Sequence, residues 1–463
     1  MKDVRIVHLS DIHFGQLAAS EARHIHTDVR DELLNDLDRL RKDSGPANAL
    51  AVTGDIAFSG AENEYREATK WLDDACSAAG CSKDQVYTVP GNHDIDRSRV
   101  GYVAEVLHDR VRRAPEDMLD SELGKLLSDT ASEPQLLDKL AAYREFAAGW
   151  GNDFASAEQS NWSRPLAELG GCLLRAVGFN TVLFCDKHDS LGNLIVNPRQ
   201  YARGLKRTEG HEVIALGHHP IEWLKNRKQI EDYICSRCRV LLVGHEHKWR
   251  IKKEDQGAEF ERLEIGAGAV SPAGSLDAYC FYYNWLTVSI TDDDGTLHLV
   301  VNVKPRRWVR HETAFGSDPE RFKPQCESRD FAMLIGKRET TGREESSARQ
   351  AGSDSSAAVL AEAVALPAEE VSVIEVADMP CNDEPEVSAQ ADMVQLRRLF
   401  WHSLTRLERL EVLLQMQVLA EPGIALTHSL ERAAFEKVVD QNRTGELWDL
   451  IVKKKGLGTP NSL

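Results

Sequence analysis

The sequence lacks the features that mark membrane and secreted proteins. None of its apolar runs approaches 18 residues, so no segment is long enough to form a transmembrane helix. Its nine cysteines are odd in number and scattered over 463 residues, which does not form a disulfide framework. The chain enters a predicted strand within its first residues and leaves no room for a secretory signal. We therefore expect a cytoplasmic protein without a membrane partner.

The sequence also lacks an excess of basic residues. Its net charge of −18 argues against a broad nucleic-acid surface, although local basic patches stay compatible with it. Residues 337–392 contain 13 acidic and 4 basic residues, so a charge of −9, half of the total, lies there. This region is rich in Ser, Ala, Glu and Pro and has no aromatic residue. We predict an acidic flexible linker over residues 336–392.

The linker divides the chain into a large domain at 1–335 and a small one at 393–457. Strand and helix patterns alternate over residues 1–95 as βαβαβ, which predicts parallel strands with helices on a face. Residues 97–165 have a helical pattern, and we predict a helical insertion that governs substrate choice. Strand patterns return from 172 to 303. In the small domain, leucines three and four residues apart predict a compact all-α bundle.

Five short segments place metal-binding side chains at the ends of predicted buried strands. They are Asp11-Ile12-His13, Gly54-Asp55, Gly91-Asn92-His93-Asp94, Gly217-His218-His219 and Gly244-His245-Glu246-His247. A single Asp or His at a strand end is more often a turn residue than a ligand. Five such segments, each carrying Asp, Asn or His, predict that these side chains converge on one metal site.

The donor types of these segments suit a pair of divalent ions. Two ions a few Å apart need a bridging carboxylate, for which Asp55 is well placed, and two sets of terminal ligands. Carboxylate, amide and imidazole donors without thiolate favour Mn²⁺, with Fe or Zn²⁺ as alternatives, over Ca²⁺. A water shared by two such ions is acidified and attacks phosphorus in line. His93 would then face the leaving group as general acid or cationic stabiliser.

These motifs, in this order and over roughly residues 1–305, resemble the calcineurin-like metallophosphoesterase superfamily. The resemblance implies an α/β fold, a four-layer αββα sandwich with the dimetal site at its strand ends. It assigns one ion to Asp11, His13, Asp55 and His247. It assigns the other ion to Asp55, Asn92, His218 and His245. The same motifs place His93 and Asp94 in the catalytic group.

Within the superfamily, the branch with class III cyclic-nucleotide phosphodiesterases shows the nearest resemblance. LSDIHFG, VPGNHD and the segment 192–205 before GHHP are similar to that branch. Phosphoprotein phosphatases often carry an Asp three residues after the bridging Asp, where it orients the catalytic His. Phe58 stands at that position. We therefore expect another group, with Asp94 as the candidate, to orient His93, and we do not favour phosphoprotein phosphatase activity.

The C-terminal segments LTRLERLEVLL and AAFEKVVDQNRTGELWDLIV are similar to the effector-associated, death-like helical adaptor domains of bacterial conflict systems. Such domains join an enzymatic effector to a partner, so the resemblance implies a protein partner. The leading hypothesis is a dimetal phosphodiesterase that acts on a small nucleotide or cyclic nucleotide and is recruited through this adaptor. A metal-dependent nuclease and a non-enzymatic adaptor or scaffold remain alternatives. The acidic charge disfavours the nuclease, because binding to long nucleic acids depends on Lys and Arg contacts with phosphate.

Overall fold

A computed structural model of the chain describes residues 2–16, 20–255, 261–271, 281–337, 393, 396–397, 399–419 and 428–455. The strands, in chain order, are β1 (Asp3–Leu9), β2 (Ala49–Val52), β3 (Val86–Thr88), β4 (Asn161–Leu169), β5 (Cys172–Phe179), β6 (His211–Leu216), β7 (Val240–Val243), β8 (Trp249–Asp255), β9 (Glu261–Ala267), β10 (Tyr282–Asp293), β11 (Thr296–Val309), β12 (Ala314–Ser317) and β13 (Arg329–Lys337). The helices are α1 (Ser20–Ser44), α2 (Glu62–Ala79), α3 (Tyr102–Arg113), α4 (Glu116–Ser128), α5 (Glu133–Leu137), α6 (Ala141–Gly149), α7 (Pro198–Gly204), α8 (Arg227–Arg237), α9 (Arg406–Gln415), α10 (His428–Asp440) and α11 (Thr444–Lys455).

The strands form two sheets. The first has the order β12-β11-β10-β1-β2-β3, with β13 paired to β11, and the second has the order β4-β5-β6-β7-β9-β8. Strands β1, β2 and β3 are parallel, as the alternating pattern predicted. The strands predicted at the end of the large domain are present, but β10 and β11 extend the first sheet beside β1. The first sheet is therefore built from both ends of the large domain, and the second sheet from the strands between them.

An apolar layer between the sheets holds them face to face. It contains Ile6 and Tyr87 from the first sheet and Ile214, Leu242 and Ile265 from the second, all buried. A second apolar cluster joins the opposite face of each sheet to its helices, including α1 and α2 on one side and α8 on the other. The predicted αββα sandwich is confirmed. It brings the carboxyl ends of β1, β2, β3, β6 and β7 to one edge of the molecule.

Between β3 and β4 the chain forms the predicted helical segment, α3 to α6. Its helices end at Gly149, and the last residues of the range predicted for the insertion, 161–165, belong to β4. The polar surface pattern of β4 explains this difference, because one of its faces is solvated. Among the described helices, none combines the length and apolar character that crossing a bilayer requires.

The C-terminal helices α9, α10 and α11 pack around a small apolar core of their own. Ala148 of α6 is part of that core, so the bundle rests directly on the large domain. Ion pairs between described residues cross the contact, including Arg409 with Glu145, and Arg432 with Asp153 at 3.1 Å. The described elements of this domain are helical, as the sequence pattern predicted. Residues 338–392, almost all of the predicted linker, lie outside the described part of the chain.

Candidate metal centre

The predicted ligands occupy the loops that follow strands β1, β2, β3, β6 and β7. Five of them have backbone in the left-handed region, with φ between 51° and 71°: Asp11, His13, Asp55, His245 and His247. Residues other than glycine avoid this region, and such outliers concentrate at functional sites. The loops also pack closely against one another. At Gly91, for example, a Cβ atom would lie 2.2 Å from Oδ1 of Asp55.

Asp55 lies at the centre of the cluster. Its Oδ2 is 3.4 Å from Nε2 of His13 and also 3.4 Å from Nε2 of His218. His13 belongs to the ligand set predicted for one ion, and His218 to the set predicted for the other. Asp55 therefore occupies the position between the two sets that a bridging carboxylate requires.

The remaining predicted ligands complete the two sets. On one side, Oδ1 of Asp11 lies 3.1 Å from Nε2 of His247. On the other side, Oδ1 of Asn92 lies 3.0 Å from Nε2 of His218 and 2.9 Å from Nδ1 of His245. The structure thus brings all seven predicted ligands together.

Backbone carbonyl groups fix the protonation of two of the imidazoles. Nδ1 of His13 lies 2.8 Å from the carbonyl oxygen of Ser271, and Nδ1 of His218 lies 2.8 Å from that of Thr53. A carbonyl oxygen only accepts, so each Nδ1 carries the proton and donates it. Nε2 of each ring is thereby turned towards Asp55, which is the orientation of a metal-ligating histidine.

This arrangement fits a cation. Nε2 of His13 is buried without a hydrogen-bond partner in the described part of the chain, and it faces a carboxylate. Burial alone would lower the pKa of His218, but the charge and hydrogen bond of Asp55 raise it to about 9. The cluster therefore attracts positive charge, which bound metal ions supply in place of protons. Two donor groups also meet the distance requirement of a metal site: Asp11, His13, Asp55 and His247, and His218, His219 and His245.

His93 lies beside the cluster, and its backbone N–H donates to Oδ1 of Asp55 at 2.7 Å. Its Nδ1 donates to the backbone carbonyl of Phe58 at 2.8 Å, and the Phe58 ring stacks on its imidazole at 5.2 Å. The residue that replaces the familiar Asp thus orients His93 through its own backbone and ring. The expectation that Asp94 performs this task was wrong.

Asp94 instead connects two of the ligand loops. Its buried carboxylate accepts the backbone N–H of Ile56 at 3.2 Å, Ala57 at 2.8 Å and Gly91 at 2.8 Å. It also accepts the hydroxyl of Tyr65 at 3.0 Å. Burial and then the charge of Asp55 raise the pKa of Asp94 to about 7, although these backbone groups oppose the shift. Asp94 is positioned to hold the loop of Asp55 against the loop of Asn92.

Sequence reasoning gave no ligand role to His219, which the structure places in the cluster. Its ring centroid lies 4.3 Å from that of His245, and its Nδ1 lies 2.9 Å from Oγ1 of Thr181. Its Nε2 is buried without a hydrogen-bond partner among the described residues. The sequence signal for His219 was its position next to the predicted ligand His218. Adjacent side chains usually point in different directions, so this position did not predict a place in the cluster. Glu246, the other motif residue without a predicted ligand role, accepts a hydrogen bond from Nε1 of Trp223 at 3.2 Å.

Residues 304–310 combine four basic side chains with a tryptophan, and three of these residues make contacts within the protein. Arg306 forms a bidentate ion pair with the buried Asp36 at 2.6 and 2.8 Å. Arg307 lies 3.4 Å from Asp318. Trp308 packs against aromatic rings of the core. The ion pair of Arg306 with Asp36 joins this strand to α1.

A paired-metal donor set at the strand ends of an αββα sandwich defines the metallophosphoesterase class. A sequence model of the calcineurin-like phosphoesterase family matches residues 4–249, which is more than half of the chain. The chain therefore belongs to the calcineurin-like phosphoesterase family, whose members bind two divalent metal ions. A model of the GTPase-associated adaptor domain matches residues 393–453. The predictions of the superfamily and of a C-terminal adaptor domain are both confirmed.

The chain is similar to an uncharacterized metallophosphoesterase-like protein, YydB, of Bacillus subtilis (strain 168). The two are 26% identical over 327 residues, an alignment that covers 66% of this chain and 62% of that protein. The chain thus spans less than two thirds of the length of this relative.

Solved structures that resemble this chain include two phosphatase-type enzymes. Purple acid phosphatase PPD1 from yellow lupin (Lupinus luteus) shares 12% identity with a TM-score of 0.35, over 66% of this chain and 52% of that one. A 5′-nucleotidase precursor from Thermus thermophilus shares 12% identity with a TM-score of 0.30, over 72% and 54%.

Proposed function

We propose that the chain is a dimetal-dependent phosphodiesterase that acts on a small nucleotide or cyclic nucleotide. The observation that carries the proposal is the position of Asp55 between two sets of buried and half-buried donors. We assign one ion to Asp11, His13, Asp55 and His247, and the other to Asp55, Asn92, His218 and His245. Mn²⁺ suits these nitrogen and oxygen donors, as do Fe and Zn²⁺.

When bound, the two ions would polarise the phosphoryl oxygens and lower the pKa of a water molecule that attacks phosphorus. The protein's own task is to hold the phosphoryl group beside His93. Because Nδ1 of His93 is committed to the Phe58 carbonyl, Nε2 is the nitrogen available to hold or donate a proton at the leaving oxygen. We assign Asp94 the role of a positioning residue, since its contacts hold loops rather than the His93 ring.

The activity is tested with a panel of phosphate esters and Mn²⁺. Bis(p-nitrophenyl) phosphate reports diesterase activity, p-nitrophenyl phosphate reports monoesterase activity, and 3′,5′-cyclic AMP reports the nucleotide class. We expect a preference for diesters. Replacing Asp55 with Asn, or Asn92 with Ala, should lower activity on the order of a hundredfold or more, since each removes a metal ligand. A wild-type protein that hydrolyses no diester with any of the three metals would refute the proposal.

We also propose that the C-terminal domain recruits a protein partner. The name of its family suggests a GTPase-associated system. In support, Leu407 of α9 is 67% exposed and Leu414, two turns further along the same helix, is 37% exposed. Exposed leucines aligned on one helix are typical of a protein interface. Leu407→Glu should abolish binding to a purified GTPase that carries the same domain, whereas Gln415→Glu, an exposed change on the same helix, should not.

A further inference from the structure

A cavity of about 540 Å³ adjoins the metal centre at His13 and Phe58. Away from the centre it is lined by residues of α1, of the loop after β1 and of the start of α2: Gln16, His26, Arg30, Ala61, Asn63 and Glu67. Within the described part of the chain, no residue of the 97–165 insertion lines it. The expectation that the insertion governs substrate choice therefore does not agree with this cavity.

The wall of the cavity is polar and of mixed charge. Gln16 and Asn63 offer amides, Arg30 a cation and Glu67 a carboxylate, while the aromatic ring of Phe58 lies at the metal end. Glu64 also lines it, but its carboxylate is committed to Ser59 and Ala61. The carboxylate of Glu67 would repel a chain of further phosphates. An acyl chain would bury the amides of Gln16 and Asn63 without hydrogen-bond partners, which is unfavourable. The wall instead matches a group with hydrogen-bond donors and acceptors around a flat ring.

Hydrogen bonds through Ser271 connect the inner wall of the cavity to the metal centre. His26 is 4% exposed, and its Nδ1 lies 2.5 Å from Oγ of Ser271. The carbonyl group of the same Ser271 accepts Nδ1–H of His13, the ligand at the mouth of the cavity. One residue thus fixes both the wall and a metal ligand. The distance between the reacting phosphorus and a group held in the cavity is therefore set by the fold.

We propose that this cavity binds the nucleobase-bearing group of the substrate, and that Asn63 and Glu67 are specificity-determining residues that contact the base. The inference rests on the proposed phosphodiesterase function. A volume of about 540 Å³ lies in the range of small-ligand sites and suits one nucleotide unit rather than a polymer. The ring of Phe58 supplies an aromatic surface at the phosphate end of the base or sugar.

The test compares two substrates with the same leaving group, in the full chain with Mn²⁺. The p-nitrophenyl ester of thymidine 5′-phosphate carries a nucleoside, and bis(p-nitrophenyl) phosphate does not. Asn63→Ala and Glu67→Gln should each lower kcat/KM for the nucleoside ester roughly three- to tenfold, the effect of one lost hydrogen bond. Neither change should alter kcat/KM for bis(p-nitrophenyl) phosphate. Glu62→Gln, an exposed change on the same helix outside the cavity, is the matched control.

Binding gives a second measurement. The 5′-monophosphates of adenosine, guanosine, cytidine and uridine should inhibit bis(p-nitrophenyl) phosphate hydrolysis more strongly than inorganic phosphate, and the two variants should remove that advantage. Equal losses on both substrates, or no advantage of nucleotides over phosphate, would overturn the cavity assignment while the phosphodiesterase stands. Absence of activity on both substrates in the wild type would refute the proposed function, and this inference with it.

Discussion

Five of the seven proposed ligands hold a backbone conformation that costs about 1–3 kcal/mol each for residues other than glycine. Nε2 of two histidines also faces the carboxylate of Asp55 at 3.4 Å. The backbone conformation opposes folding, whereas protons on the two histidines offset the charge of Asp55 when no metal ion is bound. Metal ions that bind only the folded chain offset this backbone cost, because the loops already have the conformation that binding requires.

Metal removal should therefore destabilise the protein more than it destabilises a variant without the bridging carboxylate. With free Mn²⁺ at about a thousand times its dissociation constant, binding adds about 4 kcal/mol to the free energy of unfolding. Asp55→Asn should lose most of this gain, so its free energy of unfolding should differ little between Mn²⁺ and EDTA. Chemical denaturation with Mn²⁺ and with EDTA measures both values. Asp74→Asn, on the exposed side of α2, should keep the full gain; an equal gain in Asp55→Asn would contradict the assignment.

Asp94 should be a stability residue as well as a positioning residue. Asp94→Ala leaves three backbone N–H groups without their acceptor, at about 1–3 kcal/mol for each buried group left unpaired. The Tyr65 hydroxyl loses one of its two acceptors and keeps the backbone carbonyl of residue 94, at 3.2 Å. We expect a loss of several kcal/mol in the free energy of unfolding in EDTA. Tyr65→Phe removes one of these bonds and should cost about 1 kcal/mol. A loss in Asp94→Ala no larger than in Tyr65→Phe would show that the loops do not depend on this carboxylate.

The helical segment between β3 and β4 is attached to the core by a buried polar cluster. Nδ1 of His108 in α3 lies 3.0 Å from Oδ2 of Asp186. Nε2 of the same histidine lies 3.5 Å from Nζ of Lys139. Arg112 also contacts Asp186, at 3.1 Å. Burial and then the charge of Lys139 lower the pKa of His108 to about 4, although Asp186 opposes the shift. His108 is therefore neutral in the folded protein at neutral pH.

This pKa predicts a pH dependence of stability. Between pH 6.5 and 4 the unfolded chain binds a proton at His108 that the folded chain does not, so acid favours unfolding. The contribution lost by pH 4 is about 3 kcal/mol. The free energy of unfolding, measured from pH 7 to pH 4 in EDTA, should fall less steeply in His108→Asn than in the wild type. Parallel curves would mean that His108 is protonated equally in both states.

Elements and ligands differ in how far they follow from the sequence. The strands, the helices of the βαβαβ start and the seven converging ligands were predictable, because each depends on local pattern and on motifs in order. The placement of β10 and β11 beside β1 was not, since a pairing such as Asp3 with Ser289 leaves no local signal. The roles of Phe58 and Asp94 were also not predictable. Phe58 acts through its carbonyl group, which every residue has, and Asp94 acts on backbone N–H groups that no motif encodes.

On the scale of the whole molecule, the adaptor domain and the phosphoesterase domain share an interface. Arg409 is 1% exposed, donates to the carbonyl of Leu404 at 2.9 Å and pairs with Glu431 within the bundle, so its contact with Glu145 is one of several. Substitution of Glu145 therefore weakens the docking without removing the internal support of Arg409.

Glu145→Lys should separate the bundle from the large domain. A cation facing Arg409 replaces attraction with repulsion at a half-buried site. The radius of gyration from small-angle X-ray scattering should rise, while the helical content by circular dichroism stays the same. Glu116→Lys, an exposed change on α4, is the control and should leave the radius unchanged. An unchanged radius in Glu145→Lys would show that the apolar contact around Ala148 holds the two domains without the ion pair.

The helix that carries Glu145 and Ala148 also contacts a residue that supports the metal centre. Phe146 of α6 stacks on Tyr65 at 5.1 Å, and the hydroxyl of Tyr65 holds Asp94, which joins the loops of Asp55 and Asn92. One short helix thus contacts the recruitment domain on one side and the support of the ligands on the other. Thermodynamic linkage makes any coupling through it reciprocal. If a partner that lifts the bundle from α6 changes metal affinity by some factor, metal loading changes the affinity for that partner by the same factor.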